Sequence, residues 1–221
     1  MQLVPAVMIA VVPSVIAVLA WAAWRQAARA NFVRDYRFPP GLLAALGRDY
    51  PHLRGGDLQL VGRGLRQFFL AWLRGGRKPV SMPSQVVDAL WHAFILHTRA
   101  YDAFCRQAFG RFLHHTPASV LGADRRNNEG LRRVWWHACR EENIDPRKPT
   151  RLPLLFALDA KLGIEGGYRY ALDCARLREA RDGTTQCAGD FGDAGIDGST
   201  DGFGDGSGDG GDGDGGGCGG D

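Results

Sequence analysis

Residues 81–117 read SMPSQVVDALWHAFILHTRAYDAFCRQAFGRFLHHTP, and the spacing of their apolar side chains sets the fold class. Met82-Pro83-Ser84 is a helix opening, and Val86, Val87, Leu90, Trp91, Phe94 and Ile95 then recur at helical spacing. Thr98 has the character of an N-cap for a second helix. Its apolar face is Tyr101, Phe104, Cys105, Ala108 and Phe109, and Gly110 stands at the C′ position. Two amphipathic helices in immediate succession predict a helix-on-helix core.

The same reading extends outward. Upstream, Arg37-Phe38-Pro39-Pro40 must end any helix running into it, since two prolines cannot continue one. A short helix is expected at about 40–49, closed by Tyr50-Pro51. Another is capped by Asp57 and carries Val61, Leu65, Phe68, Phe69 and Trp72 before Gly75-Gly76 stops it. Downstream, helices are expected at about 124–142, weakened by Gly130, and from Pro153 to near Gly163, with a last piece over Tyr168–Arg181. A minor strand around Tyr168–Leu172 is the alternative for that last piece. Nowhere does period-2 alternation persist, so the expected class is all-α without a sheet.

The two ends differ from this middle. Leu3–Trp24 is 22 residues without a charge, about 33 Å as a helix, with Trp21 and Trp24 at one end and Arg25, Arg29, Arg34 and Arg37 beyond. This predicts an uncleaved transmembrane helix in a bacterial inner membrane, N-terminus out and body cytoplasmic. A cleaved signal peptide is the competing reading, but a basic n-region is missing and the apolar run is too long. At the other end, residues 182–221 hold ten aspartates, no lysine or arginine, and 17 of the 31 glycines. Such a composition cannot offset its ordering entropy, so a disordered tail is expected. It contains no Glu for an EF-hand loop and no regular glycine-rich calcium repeat. The expected layout is a transmembrane anchor and juxtamembrane helix at 1–37, a helical domain at 38–181 and the tail at 182–221.

All 27 basic residues and 14 of the 24 acidic ones lie between Arg25 and Arg181, so the formal charge of +3 hides a body at +13 and a tail at −10. The five cysteines (Cys105, Cys139, Cys174, Cys187, Cys218) are odd in number and lack metal-type spacing, which suits reduced thiols. The first three read as small buried hydrophobes, the last two as exposed.

Chemistry concentrates between Ser81 and Pro117, where four of the six histidines fall. Asp88 and His92 are four apart and share a helix face, so the carboxylate can orient the imidazole. Gly110 allows the chain to turn back, bringing His114 or His115 toward His92. The candidate metal ligands are therefore His92, His114 and His115, with Asp88 as orienter and a divalent ion such as zinc as cofactor. A second candidate site is the basic–aromatic run Arg132, Arg133, Trp135 and Trp136, which suits a phosphate backbone or anionic lipid headgroups.

The run Val87–His92, with Thr98–Tyr101, Phe104-Cys105 and Phe109–His115, resembles the glycine-rich domain-containing-protein-like family over roughly residues 38–175. Leu152–Asp159 resembles its bacterial membrane-anchored members. Many members read W-H-x-H, whereas Phe94 stands at the second histidine here. The resemblance implies a domain type and supplies no activity. The function expected is a membrane-tethered helical interaction domain, with a protein partner or anionic headgroups. A histidine-dependent metal enzyme or sensor is the alternative, and an RNA-binding module is the weaker one.

Overall fold

The computed structural model describes residues 3–115, 129–175 and 185–192, with side chains from Val12 onward. The described residues form seven helices and one pair of short strands. The helices are α1 (Leu3–Asp35), α2 (Leu42–Asp49), α3 (Gly55–Arg74), α4 (Gln85–Leu96), α5 (Thr98–Phe109), α6 (Glu129–Glu141) and α7 (Leu154–Lys161).

The axis is α3, whose QLVGRGLRQFFLAWL stretch is buried along most of its length. Against it pack α1, α2, α4, α6 and α7, while α5 sits on α1 and α4. Gly64 sets the closeness of one of these contacts. A Cβ there would collide with Leu158 and lie 3.0 Å from Val87 Cγ2, so α4 and α7 meet over a bare backbone. Aromatic rings fill the centre: Phe104 contacts Tyr36 at 4.5 Å and Phe69 at 4.9 Å, and Trp91 contacts Phe68 at 5.0 Å. Each such side chain contributes about 1.5–3 kcal/mol by leaving water.

Two helix N-termini are satisfied from a distance. Asp159 on α7 is buried and accepts from Ser84 Oγ (2.7 Å), Gln85 N (2.7 Å) and Val86 N (3.3 Å), completing the first turn of α4. Ser84 Oγ also accepts from Val87 N and so caps the helix that Met82-Pro83-Ser84 opens. In return, Gln67 and Glu142 accept from Leu155 N and Leu154 N at the start of α7. Thr98 is itself the first residue of α5, and His97 precedes it as cap. Asp57 acts at the third helical position of α3, accepting from Arg54 N at 2.9 Å.

Four expectations are corrected. First, among the described residues no helix is long and apolar enough to cross a membrane, which overturns the transmembrane helix expected over Leu3–Trp24. The described side chains give only Val12–Trp24, about 20 Å of uncharged helix, before Arg25. The helix then continues into the domain, where Ala30 and Val33 are buried. Second, a small sheet exists: β1 (Arg169–Ala171) pairs in parallel with β2 (Thr185–Cys187), Tyr170 opposite Gln186. The strand alternative at Tyr168–Leu172 therefore holds for three residues, and residues 176–181 of the expected helical piece lie outside the described residues. Third, the fold continues past 182. Ala188 and Phe191 are buried, and Phe191 joins Trp135, Phe156 and Tyr170 in a second aromatic cluster. Fourth, Cys174 and Cys187, expected as reduced thiols, form a disulfide across the strand pair with Cα atoms 5.3 Å apart. Cys105 and Cys139 are buried and free, as expected of small core residues. Residues 193–221, with Cys218, lie outside the described residues.

Candidate metal centre

Asp88 and His92 lie one turn apart on the outward face of α4, while Trp91 between them points into the core. His115 arrives from the segment after α5. Gly110 takes φ +76°, a left-handed conformation that ends α5 and turns the chain back. A buried polar relay then fixes the returning segment. Trp91 Nε1 donates to Tyr101 Oη at 3.1 Å, and Tyr101 Oη donates to the carbonyl of Leu113 at 2.6 Å. Burial is the main cause that pushes the Tyr101 hydroxyl far up, so it stays a donor. With Leu113 buried and its carbonyl held, His115 lands against Trp91, ring centroids 4.6 Å apart.

The result is a compact cluster. His115 Nε2 is 3.0 Å from Asp88 Oδ1, and His92 Nδ1 is 3.4 Å from Asp88 Oδ2. The two imidazole centroids are 4.1 Å apart. One donor atom from each of Asp88, His92 and His115 lies within 4.8 Å of the other two. His92 Nδ1 is also 2.8 Å from the main-chain carbonyl of Asp88. A carbonyl only accepts, so that contact puts the proton on Nδ1 and leaves the Nε2 lone pair free. Exposure is graded across the cluster: the His115 side chain is 14% exposed, Asp88 33% and His92 54%. One flank is held by protein and the other faces solvent.

The sequence candidates divide accordingly. His92 and His115 meet, and Asp88, expected as an orienter, stands level with them as a third donor. His114 is exposed and turned away, its ring 4.8 Å from Phe112. The Trp91–Tyr101–Leu113 relay was missed; its only signal in the sequence is two polar-tipped aromatics on core faces.

The second candidate site does not assemble as a surface. Trp135 is fully buried and donates to the Pro146 carbonyl at 3.1 Å. Arg133 is buried and donates to the Pro79 carbonyl. Arg132 and Trp136 remain partly exposed, with Arg140 and Arg147 over the Trp136 ring. Half of the expected basic–aromatic patch is therefore core.

Among protein families, one described as UCP032817-like matches residues 28–191. That span begins inside α1 and ends at Phe191, the last aromatic of the second cluster. No curated protein and no solved structure matches the chain.

Proposed function

The chain belongs to the UCP032817-like family, and from that premise we propose that its domain binds a divalent transition metal, zinc foremost, through Asp88, His92 and His115. The observation that carries this reading is the convergence of three donor atoms within 4.8 Å from two separate chain segments. Ligands of a tetrahedral zinc stand about 3.3 Å apart, so the cluster needs only side-chain rotation to close on an ion. Two imidazoles and one carboxylate are a donor set that zinc and its neighbours favour. Three protein ligands with one solvent-facing flank leave a coordination position for water, the layout of reactive rather than purely structural zinc. The resemblance to the glycine-rich domain-containing-protein-like family fits, since its D-x-x-W-H and His-His elements contain all three residues. The burial of Arg133 and Trp135, half of the basic–aromatic run, weighs against the RNA-binding module.

Zinc titration of the full chain in non-chelating buffer, with the metal content of the purified protein, tests the proposal. One ion per chain is expected. Asp88→Ala, His92→Ala and His115→Ala should each weaken it by about tenfold or more, while His114→Ala should not. Absence of uptake, or equal losses in His114→Ala and His115→Ala, would overturn the assignment.

A further inference from the structure

Away from the histidine cluster, four arginines gather where α1 passes the ends of α3 and α5. Arg25 and Arg29 are one turn apart on α1, Arg77 follows the Gly75-Gly76 stop of α3, and Arg111 follows the Gly110 stop of α5. Their contacts link them in a chain. Arg29 lies so close to Gly110 that a Cβ there would be 2.6 Å from its Nη2. Arg111 Nη2 donates to the Arg77 carbonyl at 2.7 Å, and its guanidinium lies over Trp72, 5.3 Å from the ring centroid. Arg25 lies over Trp21 at 5.1 Å. The aromatic faces hold two of the guanidinium planes in place.

Three observations show that this cluster lacks a counter-charge among the described residues. No ion pair to any of the four exists among the described residues. Burial and then mutual repulsion lower Arg29, through Arg25 and Arg77, and Arg77, through Arg111 and Arg25. The Nε of Arg77 is buried and has no hydrogen-bond partner among the described residues. Arg77 also holds φ +61°, a left-handed conformation that side-chain-bearing residues avoid. The C-termini of α3 and α5 face the cluster, but each supplies only about half a negative charge. Four guanidinium groups against two helix ends leave most of the positive charge unanswered among the described residues.

We propose that Arg25, Arg29, Arg77 and Arg111 form a binding site for a phosphoryl dianion. Arginine forks match phosphate oxygens in pairs, and a phosphate monoester brings about −1.5 to −2 of charge. The unmatched Arg77 Nε gives it a donor on the buried side, and Arg25 and Arg111 close over it from the exposed side. The strained backbone at Arg77 is then the cost of aiming that guanidinium inward. The dianion has two chemical sources, a soluble phosphate compound or the headgroup of an anionic lipid.

Isothermal titration of the full chain with inorganic phosphate at low ionic strength is the first arm. Cosedimentation with vesicles of phosphatidic acid and phosphatidylcholine, against phosphatidylcholine alone, is the second. Arg77→Gly and Arg111→Ala are compared with the parent chain in both. Saturable binding in either arm is expected, falling about tenfold or more in each variant. Arg77→Gly should melt no lower than the parent, because glycine is at ease at positive φ. Binding in the first arm identifies a soluble phosphoryl ligand, and binding in the second alone identifies a headgroup. No binding in either arm, or binding that both variants retain, overturns the site.

Discussion

His115 reaches Asp88 while His114 points away, and the difference comes from a carbonyl one residue earlier. Tyr101 holds Leu113 O, so the alternation of an extended segment turns residue 115 toward α4. The pairing of Asp88 with His92 was legible in the sequence, because helical spacing alone puts them on one face. The choice between two adjacent histidines was not, because no periodicity survives past Gly110 and the deciding group is backbone. Tyr101→Phe should therefore cost about 1–2 kcal/mol in urea unfolding and weaken zinc uptake without touching a ligand. A second residue-scale consequence concerns pH. Burial, then Arg74, Arg133 and Arg140, hold the His137 imidazole down to about 4, so the fold keeps it neutral. The unfolded chain takes up that proton near pH 6.5. The stabilisation by neutral His137 is thus full above about pH 6.5, shrinks as pH falls, and is lost near the folded value, a change of about 3 kcal/mol. His137→Asn should flatten that stretch of the stability profile, as measured by urea midpoints across it.

At the scale of elements, α3, α4 and α5 were legible because apolar residues recur every three or four positions, and α2 and α7 because proline and glycine mark their ends. Of the strand pair, β1 lies within the strand alternative at Tyr168–Leu172, whereas its partner was not legible. Three-residue strands carry no readable alternation, and the partner of Arg169–Ala171 lies beyond a segment of different composition. The disulfide was hidden for the same reason, since Cys174 and Cys187 become neighbours only once the strands pair. The close approach of α3 to α7 rests on a glycine that reads as a weak point in a helix. Gly64→Ala should raise helix propensity yet destabilise the protein by about 1–3 kcal/mol, because Leu158 and Val87 have no room to yield. Calorimetric melting of the single variant checks the sign, and a rise in melting temperature would show the contact to be slack.

Across the whole molecule, the segment charges were legible but the boundaries were not. Composition placed the start of the tail at Asp182, whereas Phe191 completes an aromatic cluster with Trp135 and Tyr170. A lone aromatic among glycine and aspartate reads as incidental until a pocket is found for it. The disulfide closes a 13-residue separation onto that cluster. Reduction, or Cys187→Ser, should cost about 2–3 kcal/mol by releasing loop entropy, and chemical denaturation with and without reductant measures it. The apolar N-terminal run was legible as a helix, and Pro39-Pro40 marked where that helix must end; only its reading as a membrane span is overturned. Here α1 continues without a break to Asp35. Its last turns are fastened at several points: Arg34 bonds Glu141 of α6 at 2.6 and 2.9 Å, and Phe32 lies against Phe104 at 5.9 Å. Burial alone would raise the Glu141 carboxyl, but Arg34 and Arg74 outweigh it and hold it below the usual range.

Mechanically, α1 is a lever whose internal proline, Pro13, lies near its outer end. From Val12 to Asp35 it is a rod of about 36 Å, its outer half free of the body and its inner half bolted into it. Past Pro13 the helix has neither proline nor glycine to bend at, so a force on its outer half would be carried to the Arg34–Glu141 and Phe32–Phe104 contacts.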